Sequence, residues 1–169
     1  MRAFRVLLLV VAACLGSCAQ RFPDEAQVRH VIDGDTIELT DGRLVRYIGI
    51  DAPEVRRRDG EHWVVDPEPY AREAAEANRQ LVEGKTVRLE YDVERFDRYG
   101  RLLAYVYVDD QMVNATLLQA GDAQLLTIPP NVKYVERFRQ LVAQARAAGR
   151  GRWALTPVRK RKSSERGDP

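Results

Sequence analysis

The sequence predicts an α+β fold that is mainly β: a five-stranded barrel of the OB type with about three helices packed on it. Five short segments rich in β-branched and aromatic residues are separated by turn signals, and a helical pattern follows the third of them. Two more helical patterns follow the fifth segment. Short strands and helices in this order are typical of small closed barrels.

The first three strands are predicted over residues 28–32, 35–40 and 43–50. Asp41-Gly42 lies between the second and third strands and is a strong signal for a two-residue hairpin turn. Pro53 ends the third strand, because proline cannot donate a hydrogen bond to a central ladder. Residues 55–68 are charged and contain Gly60, Pro67 and Pro69, which predicts a long loop.

The remaining pattern completes the barrel and its helices. Strands are predicted over residues 86–91 and 102–108, and helices over 70–81, 113–120 and 132–145. Gly84, Gly121 and Gly149 are predicted to end these helices. The Pro129-Pro130-Asn131 break is predicted to cap the last helix.

Strand parity draws attention to two charged residues. Residues of even number in 43–50 share one face, which is apolar except for Arg46, and Asp35 shares its face with Ile37 and Leu39. A charge that points inward is unfavourable unless it is paired or lies at the wet end of a barrel. Parity therefore predicts either a structural ion pair between Asp35 and Arg46 or a charged pocket at the barrel mouth, and it favours neither.

Carboxylates gather at the same end of the predicted barrel. Asp51 ends the strand that carries Arg46, and Asp35 begins the neighbouring strand. An oxygen-rich site of this kind suits a hard cation such as Ca²⁺, without which the acids repel each other. The Asp33-Gly34-Asp35 triplet alone is a weak signal, because it lacks the spacing and the later glutamate of an EF-hand loop.

Three separated motifs resemble the staphylococcal nuclease family, in order and at matching spacings. They are VIDGDT at residues 31–36, RYIGIDAPE at 46–54 and DRYGRLLAYV at 97–106. Residues 112–121 resemble the helix that follows in that family, and the likeness runs from about residue 28 to residue 153. Three motifs together are far more specific than one, so the chain is identified as a member of this family.

The resemblance implies a Ca²⁺ site. Asp35 and Asp51 match the carboxylates that bind the metal, and Asp33 matches a supporting acid. Ala52 matches a position that supplies a backbone carbonyl, so a side-chain hydroxyl is not needed there.

The resemblance also implies catalytic roles. Glu54 matches the residue that activates or orients the attacking water, and Arg46 and Arg101 match the two arginines that grip the phosphate. Tyr99 and Arg98 lie beside Arg101 in the third motif and are expected to contact substrate. Similar enzymes cut DNA and RNA within the strand and leave 3′-phosphates.

The chain departs from the family where two tyrosines are expected before the proline–asparagine turn. Leu126 and Ile128 occupy these positions. A phenol can hydrogen-bond phosphate and stack on a base, whereas these aliphatic side chains can do neither. The phosphate chemistry is therefore predicted to be preserved and the base contacts to be altered.

Arg56-Arg57-Arg58, His62 and Trp63 could also touch substrate, but a solvated loop is the simpler interpretation.

Two other functions compete with an active nuclease. A binding module could keep the barrel and lose catalysis, and an envelope lipoprotein could be purely structural. The acid–arginine set is complete, which favours the enzyme; it consists of Asp35, Arg46, Asp51, Glu54 and Arg101.

The first residues resemble a bacterial lipoprotein signal. Arg2 and Arg5 precede an apolar run, residues 6–13, that is too short to span a bilayer, and LGSC at residues 15–18 resembles a lipobox. The expected result is a leader over 1–17 and a lipidated tether over 18–25, anchored through Cys18 to the envelope, at the outer membrane if the host has one. A secreted or soluble periplasmic protein with an ordinary signal peptide is the alternative.

Composition adds little about partners. The 27 basic residues outnumber the 25 acidic ones by two, and Arg2 and Arg5 lie in the expected leader, so the mature chain is balanced. Cys14 is expected to leave with the leader and Cys18 to carry lipid, so no disulfide is expected. We expect a monomer with one domain over residues 26–153 and a basic, disordered tail over 154–169.

Overall fold

Five strands close into a barrel in the computed structural model, which describes residues 24–155. The strands are β1 (Glu25–Asp33), β2 (Thr36–Leu39), β3 (Leu44–Tyr47), β4 (Ile50–Asp51), β5 (Arg56–Asp59), β6 (His62–Val65), β7 (Thr86–Glu90), β8 (Leu102–Val108), β9 (Gln111–Met112) and β10 (Gln124–Leu125). The helices are α1 (Ala71–Val82), α2 (Val113–Ala120) and α3 (Val135–Ala147), and a 3₁₀ helix follows at Gly151–Leu155.

The expected leader, Cys18 and most of the tether and tail lie outside the described residues. Within residues 24–155, no helix has both the length and the apolar character that crossing a membrane requires.

The barrel strands follow the order β3-β2-β1-β7-β8. Neighbours in this order pair antiparallel, and a parallel pairing of β3 with β8 closes the barrel. Val45 lies opposite Leu102 and Tyr47 opposite Ala104 in this closing pair. The predicted fold is therefore confirmed, and closure leaves β3 and β8 without a free edge where they meet.

The core fills the barrel and continues beneath the helices. Its largest fully buried side chains are Tyr47, Tyr105 and Phe138. Phe138 projects from α3 against Gly49, where an added Cβ would come within 2.7 Å of its ring. Gly49 also has a φ of 82°, which an L side chain rarely adopts. This glycine therefore lets α3 approach the end of β3, next to the functional site.

The structure corrects two sequence predictions. The predicted loop over 55–68 contains a hairpin of β5 and β6, which turns at Gly60 with a φ of 60°. The run of arginines in β5 did not indicate a strand, because charged side chains predict exposure to solvent but do not predict whether the backbone pairs with another strand.

The last helix begins at Val135, and Asn131 does not cap it. Asn131 instead accepts the Glu94 N–H at 2.8 Å and donates to the Glu94 carbonyl at 2.9 Å. The asparagine thus ties the chain before α3 to the loop between β7 and β8.

Candidate active site

Arg46 lies at the centre of a cluster of carboxylates. Its guanidinium contacts Asp35 and is 3.0 Å from Oδ1 of Asp51. Asp35 is 1% exposed, and it accepts hydrogen bonds from the Thr36 hydroxyl at 3.1 Å and from the Ala52 N–H at 2.7 Å. A buried carboxylate requires such compensation, and here one arginine is paired with two acids.

An ion pair between Asp35 and Arg46 was one of the two alternatives that strand parity left open, but parity misassigned the strand faces. Thr36 lies opposite Arg46, and Ile37 lies opposite Val45, so Arg46 does not share the face of the core residues. Val45 and Tyr47 fill the core, while Leu44 is 36% exposed. Asp35 meets Arg46 because it belongs to the turn before β2, where strand alternation does not apply.

The turn that carries Asp33 and Asp35 is held from α1. Asn78 is fully buried in α1 and donates to the Asp33 carbonyl at 3.1 Å, while its own carbonyl accepts the Tyr47 hydroxyl at 3.0 Å. Gly34 allows this turn to pack closely against Ala52, since an added Cβ would lie 2.5 Å from Cβ of Ala52. Sequence reasoning missed Asn78; the only signal is a polar residue on the apolar side of a helix.

Gln124 orients Asp51 from the other side of the cluster. Strands β4 and β10 place these two residues opposite each other, and Nε2 of Gln124 donates to Oδ2 of Asp51 at 2.8 Å. Both Asp51 oxygens therefore have a fixed donor. No sequence pattern indicates this partner, which lies 73 residues away.

Glu54 and Asp33 are neighbouring acids whose pKa values are both raised. Partial burial, followed by the negative charge of Asp33, raises the pKa of Glu54 to about 7. Burial also raises the pKa of Asp33, although the nearby Arg46 opposes this effect. Both pKa values are therefore raised mainly because burial makes ionisation of these two neighbouring acids less favourable.

Arg101 is positioned by Asp97. Nε of Arg101 is 2.7 Å from Oδ2 of Asp97, and Oδ1 accepts the backbone N–H groups of Tyr99 and Arg101, both at 2.9 Å. Burial alone would raise the pKa of Asp97, but these hydrogen bonds outweigh it and hold the pKa below its usual range. Asp97 belonged to the third motif without an assigned role, and the structure shows it fixing Arg101.

A cleft of about 480 Å³ joins the predicted substrate residues. Its lining includes Arg46, Arg101, Tyr99, Leu126 and Ile128. Arg46 thus belongs both to the cleft and to the carboxylate cluster. Two arginines and an exposed tyrosine at one opening can receive an anionic ligand with a flat ring.

Arg98 and Tyr99 form a unit at the rim of this cleft. Nη2 of Arg98 donates to the Tyr99 hydroxyl at 2.6 Å, and the guanidinium carbon lies 4.8 Å from the ring centroid. Arg101 approaches the same ring at 5.5 Å. Tyr99 itself is 68% exposed and is therefore available to a ligand.

The donor set fits a hard cation in its chemistry. Within residues 24–155, no three His, Cys, Asp or Glu side chains converge in a geometry that holds a metal ion, and the Arg46 guanidinium contacts both Asp35 and Asp51. The candidate donors are nevertheless all oxygen atoms, and four carboxylates lie around Arg46, those of Asp33, Asp35, Asp51 and Glu54.

Comparison with known proteins identifies relatives of this barrel. Residues 44–155 match the family described as "Staphylococcal nuclease homologue". The chain is 38% identical over 131 residues to the thermonuclease of Staphylococcus hyicus, covering 76% of the chain and 75% of that protein. It is 42% identical over 113 residues to endonuclease YncB of Bacillus subtilis (strain 168), covering 64% of the chain and 51% of that protein.

A third relative is longer still. The chain is 38% identical over 128 residues to the SPbeta prophage-derived endonuclease YokF of Bacillus subtilis (strain 168), covering 73% of the chain but only 42% of YokF. The chain therefore spans about half the length, or less, of the two Bacillus relatives.

The closed barrel, the acid–arginine cluster and these relatives define a nuclease, a hydrolase that acts on phosphodiester bonds. The chain belongs to the staphylococcal nuclease homologue family. The predicted family and enzyme class are confirmed.

Proposed function

We propose that the chain is an exported nuclease that hydrolyses DNA, RNA or both within the strand, depends on Ca²⁺ and leaves 3′-phosphates. One observation carries the proposal: Arg46 joins the cluster of Asp35 and Asp51 to the cleft that also contains Arg101. Hydrolysis of a phosphodiester requires an anion-binding cleft and a means of activating water, and the two lie next to each other here.

Arg46 and Arg101 are assigned to binding the phosphate group of the substrate. Phosphodiester hydrolysis increases negative charge on the phosphoryl oxygens, and fixed cationic donors stabilise that charge without reorganisation. Arg101 is held by Asp97 and keeps its remaining guanidinium nitrogens for a ligand. Arginine suits this role because it is permanently charged and can bind two phosphate oxygens at once.

Glu54 is assigned to the attacking water. A carboxylate with a pKa of about 7 can accept a proton at neutral pH more effectively than one of ordinary pKa. Groups of this kind typically contribute about 10²–10⁴-fold to a rate. Asp33 lies within hydrogen-bonding reach of Glu54 and tunes its proton affinity.

Asp35, Asp51 and the backbone carbonyl of Ala52 would hold Ca²⁺, with Asp33 in support. A bound divalent cation supplies positive charge that polarises the phosphoryl group and acidifies water. The four carboxylates around Arg46 outnumber its single positive charge, which supports this assignment.

A cleavage assay tests the proposal. The chain without residues 1–17 is incubated with plasmid DNA and with RNA, with Ca²⁺ or with a chelator, beside Glu54→Gln and Arg101→Ala. Arg43→Ala is the matched control, because Arg43 is an exposed arginine paired with Asp41 in the β2–β3 turn. Cleavage that needs Ca²⁺, survives in the control and falls at least about 100-fold in the two site variants is expected.

The same assay distinguishes the alternative. If the wild-type chain binds nucleic acid but does not cut it with any divalent ion, the barrel is a binding module. Equal cleavage by the wild type and both site variants would refute the assigned roles.

We also propose export and lipid attachment at Cys18, based on the leader pattern of residues 1–18. The Cys18→Ser variant is expected to leave the membrane fraction while its nuclease activity is unchanged. Identical fractionation of the variant and the wild type would refute the anchor.

A further inference from the structure

The β5–β6 hairpin follows the candidate catalytic acid without a spacer. Strand β5 begins two residues after Glu54, and the hairpin base is closed by Glu68. The Glu68 N–H donates to the Glu54 carbonyl at 3.0 Å, and the Glu54 N–H donates to the Glu68 carboxylate at 3.3 Å. The hairpin is therefore attached at the residue assigned to water activation.

The pairing register separates the hairpin into two faces. Arg56 lies opposite Val65, and Arg58 lies opposite Trp63, so these four side chains share one face. We call it the Trp63 face. Trp63 is 68% exposed and Val65 is 65% exposed, although tryptophan is usually buried on at least one side.

The opposite face is neutralised by its own acids. Arg57 lies 2.5 Å from Asp66 and 4.0 Å from Asp59. Among the described residues, no ion pair involves Arg56 or Arg58. Of the two faces of the hairpin, only the Trp63 face therefore combines arginines outside any described ion pair with an exposed aromatic ring.

We propose that the Trp63 face is a binding subsite for a single nucleic-acid strand, in which the indole stacks on an unpaired base while Arg56 and Arg58 contact phosphates. The inference rests on the proposed nuclease function. Surfaces that bind single strands combine a stacking aromatic ring with cationic side chains along the backbone. Arg56 and Arg58 are about 7 Å apart along the strand, comparable to neighbouring phosphates in an extended strand.

The composition of the cleft supports this assignment. Leu126 and Ile128 line the cleft and cannot stack on a base as an aromatic ring does. Trp63 and Tyr99, each 68% exposed, are the most exposed large aromatic side chains among the described residues. A strand on the Trp63 face would lead from the hairpin towards the acid at its base.

A membrane surface is the main competing ligand, because tryptophan and arginine also suit the bilayer interface. The attachment of the hairpin to Glu54 and the small apolar area, one indole and one valine, favour a nucleic-acid strand. The membrane is therefore an outcome that the experiment must separate.

The experiment measures binding of a fluorescent 15-nucleotide DNA strand in the presence of a chelator, so that no result depends on cleavage. Trp63→Ala is expected to weaken binding about tenfold, and Trp63→Phe to recover most of the loss. The double variant Arg56→Ala/Arg58→Ala is expected to weaken binding and to lower the salt slope by about 0.7 per arginine, while Trp63→Ala leaves the slope unchanged.

Arg57→Ala is the matched control from the neutralised face. Unchanged binding in Trp63→Ala, or equal losses in Arg57→Ala and the Arg56/Arg58 double variant, would overturn the subsite. The subsite would also be overturned if the variants lose binding to anionic vesicles but retain binding to the DNA strand. Thermal unfolding of every variant verifies that the barrel is intact, and a wild-type chain that binds the strand but does not cleave it would refute the proposed function alone.

Discussion

The Arg46 guanidinium contacts the carboxylates of Asp35 and Asp51 at the same time, so a single cation determines the charge of the whole cluster. Asp35 has 1% exposure and Arg46 has a side chain that is 12% exposed, so neither is well hydrated. The stability of the barrel end and the capacity to bind phosphate therefore depend on the same side chain.

Arg46→Ala is expected to reduce both stability and activity. Removing one partner leaves a buried carboxylate without compensation, which costs about 3 kcal/mol or more of the free energy of unfolding. Urea unfolding measures this loss, and the Arg43→Ala control should lose no more than about 1 kcal/mol because its ion pair is exposed. Equal losses in the two variants would contradict the central role of Arg46.

Asn78→Ala is expected to destabilise the fold and to lower cleavage, although Asn78 is not assigned to substrate. The variant leaves the Asp33 carbonyl and the Tyr47 hydroxyl without their partner, and buried unsatisfied groups cost about 1–3 kcal/mol each. Tyr47→Phe removes only one of these bonds and leaves one buried acceptor unsatisfied, so it should cost about 1–3 kcal/mol while preserving cleavage. Similar cleavage rates in the two variants would mean that Asn78 does not position Asp33.

The stability of the metal-free protein is expected to fall as pH rises towards about 7. The pKa of Glu54 is raised in the folded state, so the folded chain holds more protons than the unfolded chain between about 4.5 and 7. Stability is therefore full below the unfolded pKa and declines through this window. Urea unfolding in a chelator measures the decline, which Glu54→Gln should flatten and added Ca²⁺ should reduce. A rise in stability over this window would contradict the raised pKa.

Asp97 is expected to make the stability of the protein depend on pH in the opposite direction. Its pKa is lowered in the folded state, so its contribution is present above the unfolded pKa and is lost as pH falls through the lower folded value. Asp97→Asn should remove this acid-sensitive part of the stability and also free Arg101, raising KM for the nucleic acid. An unchanged acid unfolding profile would contradict this assignment.

Gly49→Ala is expected to destabilise the barrel more than Gly42→Ala. Both glycines have a positive φ, 82° and 86°, so an alanine costs about 1–2 kcal/mol of backbone strain at either position. Only at Gly49 does the added Cβ meet a neighbour, the ring of Phe138. Overpacking should add about 1–3 kcal/mol there. Thermal unfolding compares the two variants, and equal shifts would show that α3 can move away.

The fold was predictable because its signals are local. The hairpin at Asp41-Gly42, the alternation in residues 86–91 and the stops at Gly84 and Gly121 each depend on a few neighbouring residues. The β5–β6 hairpin was not predictable in this way, because its arginines carry no apolar alternation.

The site was predictable only in part. The motifs include Arg46, Arg101 and the Asp97 that positions Arg101, but the residues that hold Asp33 and Asp51 come from distant parts of the chain. Asn78 lies 45 residues from its partner Asp33, and Gln124 lies 73 residues from Asp51. Strand parity failed at Leu44 because burial depends on which face closes the barrel, a tertiary property that alternation alone does not contain.

The parallel pairing of β3 with β8 also has a kinetic consequence. It places Arg46 opposite Leu103, close to Arg101, although these strands are separated by more than fifty residues. Long-range closure is slow compared with the formation of the β1–β3 hairpins. We therefore expect a refolding chain to regain cleavage only in the phase that closes the barrel. The rate at which cleavage activity returns would then measure the rate of the last step of folding.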